Sequence, residues 1–268
     1  MEAAANRGTG EVGFTEHLFR CVESEHLLGP FWEREPRTDL AEQAEAFVEE
    51  ERVLSLDAYV AAVVMAKDRG LPVRLGLEVD FFPKTIGAVI DYLAQYPFDF
   101  LIGSTHWVGG WSFDHEDVEY EFERRGVRQA WEDYFAIETQ LAASGAVDVL
   151  AHVDVAKKRG YHLAEPPLEL YRPVVEAAVA SGTAVEVSTA GLHQPGGELY
   201  PGPEFLAMFC EAGVPITLAS DAHVPEHVGR DFERSIAAAR DAGYTGQLQF
   251  QARARTLGPL SLAHEAVT

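Results

Sequence analysis

A single-domain parallel α/β barrel is the fold class that this sequence predicts, and three observations predict it. Six short segments, residues 11–15, 73–79, 98–104, 147–151, 184–188 and 215–219, are apolar on both faces and rich in Val, Ile, Leu and Phe. Strands covered on both sides by helices have that character. Helical patterns lie between most of them, and repeated strand–helix–strand order means a parallel sheet or barrel. Five apolar runs then end on residues of metal-ligand type: His17, Glu78, His106, His152, and Asp221 with His223. An open doubly wound sheet concentrates its chemistry between two neighbouring strands, whereas a barrel gathers most strand ends on one face.

The elements follow in chain order. The first strand runs into Thr15-Glu16-His17. The stretch 18–54 is too long for a turn; it holds Phe19, Phe31, Trp32 and an acidic run from Glu42 to Glu51, whose charge pattern favours a solvated helix over a lid. Ser55 is the expected N-cap of a helix with Leu56, Tyr59, Val60, Val63 and Val64 on one stripe, stopped by Gly70 and Pro72. Strand 73–79 carries Glu78, helix 85–95 returns to strand 98–104, and His106 follows. Residues 107–123 form a second long connection, with Gly109-Gly110-Trp111 and an acidic patch. Helix 127–143, strand 147–151 with His152, helix 167–180, strand 184–188, helix 203–212 and strand 215–219 continue the alternation. After Asp221 and His223, a polar turn enters a last helix over 229–242.

Composition narrows the function. A chain of 268 residues with 47% hydrophobic content can bury a substantial core, and no Ser/Gly/Pro-rich linker divides it, so residues 1–268 read as one domain. The formal charge of −22 leaves no basic stripe for nucleic acid and disfavours an anionic membrane. A small phosphoester stays allowed, because bound divalent cations invert the local potential. Cys21 and Cys210 support neither a disulfide framework nor a thiolate zinc site. No apolar stretch approaches the roughly 20 residues of a membrane span, and residues 1–10 do not resemble a secretory signal. A cytoplasmic protein is expected; the sequence sets no oligomeric state.

Imidazole and carboxylate without thiolate suit zinc, iron or manganese, and such cations hydrolyse esters by activating water. Glu78 lies amid Leu77, Val79, Phe81 and Phe82, where an unpaired carboxylate is costly. It is read as a ligand bridging two metals; a salt bridge to Lys or Arg, or a solvent-facing strand end, is the alternative. His106 and His152 follow apolar strands, as core histidines bonded to carbonyls also can, and His17 has the weakest spacing. His26, His115 and His264 read as solvated, and His227 as a neighbour of the site. Lys157, Lys158 and Arg159, just beyond His152, are the densest basic cluster near any proposed ligand and are phosphate contacts or a solvated loop; His162 is a further candidate substrate contact.

At seven stretches the chain resembles the polymerase-and-histidinol-phosphatase (PHP) superfamily, and within it the histidinol-phosphatase branch. They are Gly13-Phe14-Thr15-Glu16-His17, Gly76-Leu77-Glu78-Val79-Asp80, Gly103-Ser104-Thr105-His106-Trp107 with Gly110-Trp111-Ser112-Phe113-Asp114, Ala151-His152-Val153-Asp154, Glu186-Val187-Ser188-Thr189-Ala190-Gly191-Leu192, Gly197-Glu198-Leu199-Tyr200-Pro201, and Ser220-Asp221-Ala222-His223-Val224-Pro225-Glu226. The resemblance implies a distorted (β/α)7 TIM-like barrel with up to three divalent metal ions (Zn, Mn or Fe) that hydrolyses histidinol phosphate to histidinol and phosphate through a metal-bridging hydroxide. By position, Glu78 would bridge two metals, His106 and His152 would join it on one, Asp221 on the second, and His17 with His223 would hold a third. Glu78, Asp221 and His223 are the expected catalytic set; His193, Lys158, Arg159 and His162 are the expected substrate contacts.

Two departures qualify it. The family opens with a His-x-His strand, which nothing before His17 supplies; residues 1–10 read as the end of the first helix, so six strands are expected and the first of seven is missing, with an unclosed seam. His193-Gln194 stands where the family has Arg-Lys, replacing a bidentate guanidinium by an imidazole that can donate and can be cationic. A phosphoesterase acting on another small phosphoester, and a metal-poor barrel that only binds a ligand or partner, are the competing expectations.

Overall fold

The computed structural model describes residues 1–262; His264 lies outside the described residues. In chain order its helices and strands are α1 (Glu2–Asn6), β1 (Val12–His17), α2 (Ser24–Leu28), α3 (Thr38–Glu51), α4 (Leu56–Asp68), β2 (Val73–Asp80), α5 (Ile86–Leu93), β3 (Ile102–Ser104), α6 (Glu121–Arg125), α7 (Val127–Ser144), β4 (Val149–Leu150), α8 (Leu168–Ser181), β5 (Ala184–Ser188), α9 (Pro203–Glu211), β6 (Ile216–Ala219), α10 (Phe232–Ala242), β7 (Gly246–Gln251) and β8 (Ala254–Pro259). Short 3-10 turns fill several of the connections.

All six expected strands form, in the order β1-β2-β3-β4-β5-β6, every neighbouring pair parallel. The sheet curls like part of a barrel without closing. Between β1 and β6 lies a groove of about 740 Å³, lined also by Leu248 and Phe250 of β7. That is the expected unclosed seam. β7 and β8 form an antiparallel hairpin beside it, which the sequence reading did not anticipate.

Strands β3 and β4 are shorter than their apolar runs because carboxylates replace part of the ladder. Asp99 Oδ2 accepts the Leu75 amide and Asp148 Oδ2 accepts the Leu101 amide, each at 2.8 Å. The Phe100 ring fills the sheet's concave side so closely that a β-carbon at Gly76 would sit 2.6 Å from it.

The helices carry the apolar side of the bargain with the sheet. On α7 the buried positions Ala130, Trp131, Tyr134, Phe135, Glu138, Leu141 and Ala142 recur at helical spacing, a stripe facing the core. The acidic run of α3 is indeed helical, with Leu40, Ala44 and Val48 buried and its charges outward. Ser55 caps α4, its side chain accepting the Ala58 amide at 3.3 Å. Among the described residues no helix is long and apolar enough to cross a membrane.

Candidate metal centre

Parallel register is what brings the ligand-type residues together. His17, the last residue of β1, stands opposite Glu78 on β2. Asp80 stands opposite Ser104 on β3, so His106 emerges just past the same strand end. Glu78 is 3% exposed, and three imidazoles surround its carboxylate. His152 Nε2 is 3.2 Å away, and His17 Nδ1 and His106 Nε2 are each 3.5 Å away. The rings of His106 and His152 are 5.1 Å apart, those of His17 and His106 5.4 Å, and those of His17 and His223 6.0 Å.

The electrostatics follow from that packing. Burial opposes ionisation of Glu78, but the His17 charge, the His152 hydrogen bond and the His106 charge outweigh it and hold the carboxyl well below its usual range. Burial alone would lower His152; the hydrogen bond and charge of Glu78, with the charges of Glu186 and Asp221, instead push it up to about 10. His106 is likewise raised against its burial, chiefly by its hydrogen bond to Asp80 and the charge of Glu78. Asp80 Oδ1 lies 2.8 Å from His106 Nδ1, which turns Nε2 toward Glu78. A carboxylate behind an imidazole is the usual support for a metal-binding histidine.

The donor set fits a divalent cation. His17 Nδ1, Glu78 and His106 offer ligand atoms all within 4.8 Å of one another. His17 Nδ1 and His152 Nδ1 are buried without a hydrogen-bond partner, as is Asp80 Oδ2. Unspent donor and acceptor atoms at that depth are rare in a closed core. The grouping differs from the one the resemblance implied, since His17 joins Glu78 and His106 in the tight triad and His152 flanks it. Asp221 and His223 sit at the rim. Asp221 has a left-handed φ of 45°, and the His223 side chain is 60% exposed, its Nδ1 3.1 Å from the Asp221 carbonyl.

A cavity of about 470 Å³ opens over this cluster, lined by His17, His106, His152, Asp221 and His223 and also by Lys158, His193 and Arg230. Lys158 Nζ pairs with Asp114 Oδ2 at 2.7 Å, and Asp114 raises the ammonium above its ordinary value. His193 Nε2 lies 2.7 Å from Asp231 Oδ2. Two expected substrate contacts are not brought to the cavity. Arg159 is held away by Glu119 at 2.7 Å and by Glu116, and His162 is exposed on a neighbouring loop. Lys157 is buried between Asp154 and Glu198, where it ties down the loop before α9.

Asp80, Asp114, Glu186, Arg230 and Asp231 were given no role by sequence reading. Asp80 and Glu186 carried a usable signal. Asp80 shares Glu78's face by the two-residue period of a strand, and Glu186 is a lone acid between buried valines, as Glu78 is between Leu77 and Val79. Arg230 and Asp231 carried none, because a turn after a strand has no fixed spacing.

Strand-end imidazoles and acids gathered on one face of a parallel barrel-like sheet define a class: metal-binding proteins of TIM-like architecture. The chain belongs to the PHP domain family, whose model matches residues 1–190. A protein of Deinococcus radiodurans described as a probable histidinol-phosphatase is 32% identical over 242 residues, 90% of this chain and 85% of that protein. A protein of Schizosaccharomyces pombe with the same description is 22% identical over 257 residues, 91% of this chain and 80% of that one. The crystal structure of histidinol phosphate phosphatase from Lactococcus lactis, complexed with zinc, L-histidinol and phosphate, superposes with a TM-score of 0.67 at 18% identity, covering 76% of this chain and 80% of that one. That likeness bears on the fold.

Proposed function

We propose that this chain is a metal-dependent phosphomonoesterase that hydrolyses L-histidinol phosphate to L-histidinol and phosphate, with residues 1–268 acting as one domain. One observation carries the reading: a buried carboxylate, Glu78, is met by imidazoles from three other strand ends, His17, His106 and His152, with nitrogen atoms left unpartnered. The matched relatives of D. radiodurans and S. pombe, both described as probable histidinol-phosphatases, supply the substrate.

His17, Glu78, His106 and His152 would hold divalent cations, up to three of zinc, manganese or iron, with Asp221 and His223 completing the set from the rim. Bound there, such ions supply a water of lowered pKa and positive charge for phosphoryl oxygens. The chain's own residues do the rest. Lys158 and His193, which both line the cavity, orient the phosphate, and Arg230, beside the Asp231 that His193 meets, adds charge there. Asp114 and Asp231 hold the first two side chains in place when the site is empty of substrate. The aromatic wall of buried Phe19, Phe31 and Trp107 and half-buried Phe82 behind His17 and His106 excludes water from the back of the cluster.

Turnover of histidinol phosphate by purified protein with manganese or zinc, beside a panel of small phosphomonoesters, tests the reading. Release of phosphate from histidinol phosphate at a kcat/KM well above the panel is the expected result. Preference for another ester would shift the substrate in the direction that His193-Gln194 favours. Metal binding with no turnover of any ester would overturn the catalytic reading.

A further inference from the structure

Glu186 is a further buried acid in this centre, 4% exposed, in the middle of β5 between the fully buried Val185 and Val187. It lines the groove together with Glu78, His152 and Asp221. Burial, with the neighbouring charges of Asp221 and Glu78, pushes its carboxyl up to about 7, so its position is costly and calls for a partner that justifies it. Among the described residues, its hydrogen-bond partner is a single backbone group. The His152 amide donates to Glu186 Oε1 at 2.8 Å, in a buried contact.

That amide is where the backbone departs from the sheet. Ala151 still donates to Gly103 of β3 at 2.8 Å, but His152 has a φ of 25°, in the left-handed region where a residue with a β-carbon is strained. Its carbonyl then accepts the Val155 amide at 2.8 Å and begins a 3-10 turn. With the peptide turned this way, the imidazole reaches Glu78 at 3.2 Å. A β conformation at His152 would continue the strand and carry the ring elsewhere.

We infer that Glu186 is a positioning residue for the metal centre: by accepting the His152 amide it holds a strained peptide and so fixes that imidazole at Glu78. The inference rests on reading His152 as a ligand. Strain alone would relax by rotation of the peptide; the buried acceptor one strand away is what prevents it. A glutamine keeps an acceptor oxygen at the same reach, and an alanine leaves the amide unpaired.

The variants Glu186→Gln and Glu186→Ala therefore separate hydrogen bonding from charge. Zinc is titrated calorimetrically into chelator-treated protein, bound zinc is counted by native mass spectrometry, hydrogen exchange of the His152 amide is followed without metal, and kcat and KM are measured with zinc. E186Q is expected to keep zinc affinity within about threefold and to keep the amide protected. E186A is expected to lose amide protection and about 10–100-fold in affinity at one zinc site, the range for removing support behind a ligand, with kcat falling and KM within about twofold. Equal losses in E186Q and E186A would overturn the inference, since the negative charge itself would then be holding a cation. Full zinc affinity or full amide protection in E186A would overturn it as well. If E186A does not fold, Glu186→Asp takes its place; its shorter reach should lower both protection and zinc affinity, and wild-type values for both would refute the role. The exchange measurement needs no metal and no substrate, so it stands even if the wild-type protein turns over no phosphoester.

Discussion

Replacing Glu78 by glutamine is the sharpest perturbation of the centre. The substitution keeps volume and one acceptor oxygen but removes the charge that three imidazoles converge on. Two opposite unit charges about 4 Å apart interact by about 4 kcal/mol at an effective dielectric of 20, and a divalent ion doubles that. Against it stands the desolvation penalty of a buried carboxylate, several kcal/mol after relaxation. The difference leaves about 3–4 kcal/mol, so E78Q should bind zinc or manganese on the order of 10²–10³-fold more weakly at each ion that shared the carboxylate. Without metal the three imidazoles still outweigh the burial cost of the carboxylate, so the unfolding midpoint of chelated E78Q should fall below that of wild type, by about 2–4 °C for each ~1 kcal/mol lost in a chain of this size. Calorimetric metal titration, metal counting and turnover on the same preparation check both halves. A variant that keeps its full metal complement and turns over within tenfold of wild type would show that Glu78 is a buried ion-pair partner and not a ligand.

The remaining predictions concern the cavity wall and pH. His193→Arg should lower KM several-fold for a phosphorylated substrate, because a guanidinium fork replaces a single donor; an unchanged KM removes His193 from the phosphate. Asp231→Asn should raise KM about two- to fivefold with kcat nearly constant, since a part-exposed charged hydrogen bond contributes about 1 kcal/mol once solvent screening is allowed for. Lys158→Met should raise KM and also destabilise the chain by leaving Asp114 unpaired, which a denaturation curve with and without phosphate separates. In chelated protein the raised His152 contributes stability that is complete below about pH 6.5, its ordinary value, and disappears as pH rises through about 10. Glu78, held low, contributes above the ordinary carboxylate value and loses that on acidification. Thermal stability should therefore fall from pH 7 to 10 without metal and rise over the same range with zinc, which competes with the proton; the same chelated slope in His152→Asn would refute the assignment.

The strands were legible because burial on both faces writes long apolar runs, and the strand ends were legible because a lone acid or imidazole after such a run is conspicuous. The hairpin β7–β8 was missed for the opposite reason. Gln247-Leu248-Gln249-Phe250 does alternate, yet its turn places Ala252 and Arg253 at φ of 48° and 66°, where Asn-Gly would have announced it. Arg159 is drawn off the cavity by acids, and proximity in sequence does not say which acids compete for a cation. Glu119 and Glu116 come from the 107–123 connection, whose fold is set by its buried Trp111, Phe113, Val118 and Phe122. Tertiary competition of that kind leaves no local trace.

His152 and Asp221 illustrate why function and foldability part company here. Both end strands of the sheet, and both take left-handed backbone angles, 25° and 45°, with side chains that prefer otherwise. A relaxed continuation would have kept the ladder and pointed these groups along the sheet. Local rules are broken at these two places, and at His152 the buried acids nearby, Glu78 and Glu186, receive the ring and the amide so turned. The metal-free centre is therefore an ion network under strain. A cation that takes the Glu78 oxygens and the imidazole nitrogens would replace interactions the chain supplies at a cost, which is why metal binding should stabilise this fold as well as arm it.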